Sequence, residues 1–133
     1  MGRTGTRASA GIVLDAGALI ALDRGDKRMI ALLQGAFARG RAFRVPAGVV
    51  GQAWRDGRLQ VALARFLRSE GVEVVPLDGQ LARFCGELCA ASNTSDIIDA
   101  SVVILARQRR DTIITSDPND LERLDPAAHI IGI

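Results

Sequence analysis

Two aspartates stand three residues apart at the head of an apolar stretch, "TSDIIDASVV", residues 94–103. If the segment is a helix, Asp96 and Asp99 share one face of it. One interpretation is local: Ser95 or Asp96 caps the helix, and Asp99 lies in the first turn, where the positive end of the helix dipole favours carboxylates. The other interpretation makes one or both of them metal ligands. This segment alone leaves both open, with Asp96 favoured as a cap.

Two further aspartates come directly after apolar segments that are typical of strands. Asp15 ends "GIVLD", and Asp117 follows "TIIT" closely. In sheets built from alternating strands and helices, ligands bind beyond the carboxyl ends of the strands, so we expect both carboxylates at that edge. The helix that begins near Asp99 leads into the strand before Asp117, which would bring the three acids together. Such a cluster favours a hard divalent cation, Mg²⁺ or Mn²⁺, which can activate a water molecule and stabilise charge on a phosphoryl oxygen.

The order of apolar segments predicts an α/β fold, with a mainly parallel central sheet flanked by helices. The predicted strands are "GIVLD", "AFRVP", "VEVVPL", "DTIITSD" and "AHIIGI", and helical periodicity occupies the segments between them. The segment "VEVVPL" is typical of a buried strand in a parallel sheet, and "AGVVGQAW" is predicted as a helix despite its glycines. A chain of 133 residues makes one domain, which we place at residues 11–133, after a disordered lead at residues 1–10.

Composition adds little about partners, because the net charge is only +2. Lys27 is the only lysine, and the remaining cations are arginines, which suit bidentate pairing with phosphate. Cys85 and Cys89 lie four residues apart on a predicted helix, too far for a disulfide, so we expect free, partly buried thiols. The sequence shows neither a secretory signal nor a membrane span. We therefore expect a cytoplasmic protein that does not bind a membrane.

The three aspartates and their surroundings resemble the PIN domain, in particular the VapC-type toxin ribonucleases of toxin–antitoxin systems. The resemblance rests on "IVLDAGALIAL", "DASVVILAR" and "TIITSDPNDLERL", and on the eighteen-residue step from Asp99 to Asp117. It covers residues 11–133, and it depends on the order and spacing of motifs that are weak one by one. It implies a three-layer α/β PIN-like fold and a metal-dependent endoribonuclease with a cognate antitoxin as partner. It also implies a homodimer.

The resemblance assigns metal binding and catalysis to Asp15, Asp99 and Asp117. Its main departure is at Gln52, in "VPAGVVGQAW", where PIN domains usually carry a glutamate. Glutamine keeps a coordinating oxygen but brings no charge. Three interpretations stay open: Asp96 supplies the missing carboxylate, Gln52 coordinates through its carbonyl or a water, or the site is partly degenerate.

Neighbouring residues have weaker claims on the site. Thr115 and Ser116 are predicted to orient a carboxylate or a water, although hydroxyls are also common in turns. Arg55 and Arg58 are candidates for RNA phosphate contacts, with a solvated helix face as the equal alternative. Asp15 and Asp117 could instead cap the helices that follow them, and capping is compatible with metal binding.

Other classes of function fit the sequence less well. A serine triad and a histidine general acid are disfavoured, because His129 is the only histidine and precedes the last strand. A receiver-type signalling domain needs a lysine late in the chain, and the only lysine is Lys27. The strongest alternative is a catalytically weakened PIN domain that binds RNA or protein, and Gln52 is the residue that supports it.

Overall fold

A computed structural model describes residues 10–133, so most of the predicted lead lies outside the described residues. Five strands form one sheet: β1 (Ile12–Leu14), β2 (Phe43–Pro46), β3 (Val72–Val75), β4 (Thr112–Thr115) and β5 (His129–Gly132). Their order is β3-β2-β1-β4-β5, and every neighbouring pair is parallel. The predicted α/β fold with a parallel sheet is therefore confirmed.

Seven helices connect and cover the strands. They are α1 (Ala16–Asp23), α2 (Lys27–Ala38), α3 (Ala47–Ala53), α4 (Val61–Leu67), α5 (Gly79–Ser92), α6 (Ile97–Arg109) and α7 (Pro118–Leu124). The segment "AGVVGQA" is helical, as predicted, despite two glycines. Cys85 and Cys89, on α5, are free and buried, which agrees with the expectation from their spacing. In the described part of the chain no single helix is long and apolar enough to cross a membrane. The helices α5 and α6 reach that length and composition only when they are counted together, and a bend of 106° separates them.

The central strands carry the core. All three residues of β1 are buried, and so are all four of β2. The aromatic rings of Phe43 and Phe66 pack edge to face, with centroids 5.5 Å apart, and the ring of Phe37 lies 4.7 Å from Phe43. Burying these apolar surfaces is the main favourable contribution to folding.

The segment "VEVVPL" differs from its prediction. It forms β3, but β3 is an edge strand, and the side chains of Glu73 and Val74 are exposed. The prediction of a buried strand is therefore wrong. An apolar run shows that a strand is favoured, whereas its place in the sheet depends on connections that the run itself does not encode.

The strand order reverses direction between β1 and β4. From β1 the chain moves outward to β2 and β3, and then returns to add β4 and β5 on the other side of β1. Parallel sheets bind ligands at such a reversal, outside the carboxyl ends of the strands. Asp15 follows β1, and Ser116 and Asp117 follow β4, so the fold places the predicted acids at this position.

Candidate active site

Asp15 is held at the end of β1 by two hydrogen bonds. Its carboxylate accepts the N–H of Ala18 at 2.9 Å, which caps α1, and it accepts the hydroxyl of Thr115. The residue is 7% exposed. Burial raises the pKa of Asp15, the two hydrogen bonds oppose that rise, and the charge of Asp117 adds to it. One carboxylate oxygen of Asp15 therefore caps α1, and the other accepts the hydrogen bond from Thr115. Capping thus does not exclude a role for Asp15 in the site.

Asp117 precedes α7 in the N-cap position, but in the described structure its carboxylate makes no capping hydrogen bond. Its backbone N–H donates instead to the hydroxyl oxygen of Thr115, at 2.8 Å. The side chain of Asp117 is exposed. Helix capping therefore does not account for this carboxylate, which stays available to a ligand.

Asp96 and Asp99 occupy different environments at the start of α6. The exposed carboxylate of Asp96 accepts the N–H of Asp99 at 2.9 Å, so Asp96 caps the helix. Asp99 is partly buried, and its pKa is raised to about 6. Burial is the largest cause, followed by the charges of Asp96, Asp120, Asp15 and Asp117. The same two charges, Asp96 and Asp99, also raise the pKa of Cys89, after burial as the main cause.

Asp120 belongs to this acidic group, although the sequence predicted no role in the site for it. It lies in the first turn of α7, and with Asp96 and Asp99 it lines a cavity of about 220 Å³. Arg123 also lines this cavity and pairs with Asp120 at 3.3 Å. A signal was present in the sequence, because Asp117 and Asp120 repeat the three-residue spacing of Asp96 and Asp99.

The acidic edge is defined as five aspartates. They are Asp99 and the four whose charges raise its pKa: Asp15, Asp96, Asp117 and Asp120. Within residues 10–133, the only ion pair to any of these aspartates is that of Asp120 with Arg123. The negative charge is therefore largely uncompensated. Oxygen ligands and excess negative charge fit a hard divalent cation. Among residues 10–133, however, no group of three or more Asp, Glu, His or Cys side chains is arranged to hold a metal ion.

Two glycines allow helices to approach this edge closely. A Cβ atom on Gly17 would overlap the hydroxyl oxygen of Ser116 and lie 2.7 Å from its Cβ. A Cβ on Gly48 would overlap the end of the Ile98 side chain. The first turns of α1 and α3 therefore pack against the β4–α7 turn and the start of α6. Since α1 and α6 both begin at the acidic edge, with Asp15 and Asp96 as their N-caps, their positive dipole ends favour the carboxylates there.

The structure brings some predicted residues together and leaves others apart. Thr115 contacts both Asp15 and Asp117, and Ser116 packs against Gly17. Gln52 lies on α3, and its exposed side chain makes no hydrogen bond to the described residues. Its amide is thus free to turn, but no contact joins it to the acidic edge.

The two arginines predicted to touch RNA are engaged locally. The guanidinium of Arg55 donates to the backbone oxygens of Gly51 and Trp54, at 3.1 and 2.6 Å. Arg58 pairs with Asp56 at 3.1 Å while remaining exposed. These contacts hold the α3–α4 connection, and phosphate binding by either arginine stays a prediction.

Comparison with known proteins finds likeness in structure only. No known protein family matches the sequence, and no curated protein does. A chain in the crystal structure of VapBC2 from Rickettsia felis, bound to a DNA fragment from their promoter, matches with a TM-score of 0.65 and 14% identity, over 92% of this chain and 98% of that chain. A chain in the structure of FitAcB from Neisseria gonorrhoeae matches with a TM-score of 0.63 and 16% identity, over 91% and 96%. A chain in the structure of FitAB bound to the IR36 DNA fragment matches with the same score and identity, over 91% and 94%.

These comparisons correct the family identification made from the sequence. The structures are named as complexes of two components, and nothing in their names makes the matched chain the toxin. At 14 to 16% identity the likeness shows the fold alone, and no family match supports more. The assignment to the VapC-type toxins is therefore withdrawn. The PIN-like α/β fold, with its five-stranded parallel sheet, stands.

Proposed function

We propose that this protein is a metal-dependent endoribonuclease that hydrolyses phosphodiester bonds of RNA, and that it works within a toxin–antitoxin system. The observation that carries the proposal is the environment of Asp99. Its carboxylate is partly buried, its pKa is about 6, and four other carboxylates act on it with one ion pair among them. A folded chain gains nothing in stability from this crowding, so a bound cation is the physical reason that we infer for it.

Asp15, Asp99 and Asp117 are the residues that would hold the ion, with Asp96 and Gln52 as further candidates. The ion would be Mg²⁺ or Mn²⁺, and it would activate a water molecule for attack and stabilise charge on the scissile phosphate. Thr115 fixes the orientation of the Asp15 carboxylate and of the Asp117 backbone through one hydroxyl. The beginnings of α1 and α6 would favour a phosphate at the same edge.

The partners follow from this proposal. A nuclease of a toxin–antitoxin pair would be held inactive by its antitoxin, and the matched structures, named as VapBC2 and FitAB complexes, support a protein partner. The homodimer and the cytoplasmic location expected from the sequence stay predictions.

RNA cleavage by the purified protein tests the proposal, with Mg²⁺ or Mn²⁺ added and with EDTA as a control. Asp99→Asn should abolish cleavage. Asp26→Asn is the matched control, because Asp26 caps α2 through the N–H of Met29, and asparagine caps as well as aspartate does. Equal cleavage by both variants, or cleavage that survives EDTA, would refute the assigned site.

A second candidate is a weakened domain that binds RNA or protein without cutting. Two observations favour it: Gln52 is neutral, and in the described chain the acids are not arranged as a complete metal site. If a folded protein neither cleaves RNA nor binds Mn²⁺, this candidate replaces the nuclease.

A further inference from the structure

A second cleft opens at the opposite edge of the sheet, where β4 and β5 begin. Its volume is about 1150 Å³, and Thr112 and His129, the first residues of those strands, lie in its wall. The apolar part of its lining consists of small side chains: Ala10, Val103, Ala106, Ala127 and Ala128. Such side chains leave the cleft wide and do not fill it.

The end of α6 supplies three arginines to this cleft. Arg107 pairs with Asp125 at 3.3 Å. Arg109 and Arg110 are exposed, and neither has an acidic partner within 4.0 Å in the described part of the chain. Two guanidinium groups therefore face solvent at the rim without compensation.

Asp111, which also lines the cleft, does not neutralise them. It is buried, its Oδ1 accepts the N–H of Gly11 at 2.9 Å, and its Oδ2 lies 4.0 Å from the buried guanidinium of Arg44. Arg41, at the same edge, donates to the carbonyl oxygen of Ala10 at 2.6 Å, and it has no acidic partner within 4.0 Å among residues 10–133. The free charge of the cleft is positive, opposite in sign to the acidic edge.

Arg110 adopts a backbone conformation that long side chains disfavour. Its φ of 57° and ψ of 41° lie in the left-handed region, where helices usually end in glycine or asparagine. Asn93, which ends α5 with a φ of 56°, follows that preference. Arginine at the equivalent position after α6 therefore carries a backbone strain that asparagine largely avoids.

The size of the cleft favours a strand of nucleic acid over a small anion, because its volume of about 1150 Å³ far exceeds that of a single phosphate. Arg109 and Arg110 stand exposed at the rim, and among the described lining residues only His129 offers a ring for a base to stack on, so the contacts available to the strand are mainly to its phosphates. Asp99 and Arg109 are ten residues apart on one helix, a distance of about 15 Å along its axis. We propose that this arginine cleft binds the phosphate backbone of RNA, and thereby anchors the strand that the acidic edge is proposed to cut. The inference thus rests on the proposed nuclease function.

Binding is measured without cleavage, by fluorescence anisotropy of a labelled single-stranded RNA in EDTA. The RNA has about 20 nucleotides. At roughly 3.4 Å per nucleotide, its length is well beyond the distance from Asp99 to Arg109. The test variant is Arg109→Gln combined with Arg110→Gly. Its matched control is Arg65→Gln combined with Arg68→Gln, which removes two exposed arginines from the end of α4.

The test variant should bind the RNA about tenfold more weakly than the wild type. The slope of log affinity against log salt concentration should become shallower by about 1.4, which is 0.7 for each lost phosphate contact. The control should bind as the wild type does. Arg110→Gly alone should raise the melting temperature while lowering the affinity, because glycine relieves the left-handed backbone. A loss of binding in that variant therefore does not come from unfolding.

Equal affinities of the test variant and the control would overturn the inference. The inference would also be overturned if inorganic phosphate or a mononucleotide bound through Arg109 and Arg110 while their replacement left the affinity for RNA unchanged. Cleavage assays separate this result from the nuclease proposal. If the wild type cleaves RNA but replacing Arg109 and Arg110 does not weaken RNA binding, only the anchoring cleft is refuted. If replacing them weakens RNA binding but the wild type does not cleave RNA, only the nuclease is refuted.

Discussion

Thr115 donates a hydrogen bond to Asp15 across two neighbouring strands, from a position 100 residues later in the chain. The same hydroxyl oxygen accepts the N–H of Asp117 at 2.8 Å. Thr115 is fully buried, so water does not substitute for it. One side chain therefore sets the orientation of a buried carboxylate and of the backbone that carries another.

Replacing Thr115 with valine should reduce both stability and metal affinity. Valine has nearly the same shape but no hydroxyl, so the buried Asp15 carboxylate loses a donor, which costs about 1–3 kcal/mol of unfolding free energy. Urea unfolding at neutral pH measures this change, and Thr115→Ser is the control that keeps the hydroxyl. If valine and serine have the same effect, packing and not the hydrogen bond explains Thr115.

Replacing Gly17 with alanine should destabilise the protein by about 1–3 kcal/mol, because the new Cβ would lie 2.7 Å from the Cβ of Ser116. Gly51→Ala is the matched control on α3. A Cβ there meets nothing within 4 Å, so we expect a gain of about 0.5–1 kcal/mol from helix propensity. Thermal unfolding of both variants tests this, and a neutral Gly17→Ala would mean that α1 shifts away from Ser116 at little cost.

The sequence predicted the sheet, and the position of Asp15 and Asp117 at the carboxyl ends of its strands, for a physical reason. A short apolar run that ends in aspartate indicates both a strand and its carboxyl end, as for Asp15, and parallel strands bring such ends together. The exposure of Val74 was not predictable in this way, since it depends on β3 lying at the edge of the sheet. Asp120 was not predicted because it does not directly follow a strand, and the contact of Gly17 with Ser116 joins residues 99 positions apart.

Asp99 should make the metal-free protein less stable as the pH rises. Its pKa is about 6 in the folded protein, against an ordinary value of 3.8, so the folded state binds this proton more tightly than the unfolded state. The resulting stabilisation is complete below about pH 3.8 and is lost as the pH rises through 6. Asp99→Asn removes the titrating group, so at pH 7.5 in EDTA the variant should melt at a higher temperature than the wild type.

The difference in melting temperature between the two proteins isolates Asp99 from the other titrating groups. It should shrink as the pH falls from 7.5 to 4.5 and approach zero below about pH 3.8, and adding Mn²⁺ at pH 7.5 should stabilise the wild type more than the variant. A difference that is independent of pH would show that the carboxylate is well solvated and that its neighbours do not act on it.

Replacing Gln52 with glutamate should add a negative charge near the acidic edge, because α3 packs through Gly48 against Ile98 at the start of α6. The exposed side chain has no hydrogen bond to lose in the described structure, so we expect little change in stability and about tenfold tighter binding of Mn²⁺, measured by calorimetry, which corresponds to roughly 1.4 kcal/mol. Gln34→Glu, on the exposed face of α2, controls for net charge.

A large gain of RNA cleavage from an inactive wild type would identify a weakened domain, whereas a small change would indicate a site that already works with glutamine. Equal Mn²⁺ affinities of the two variants would place Gln52 outside the metal site.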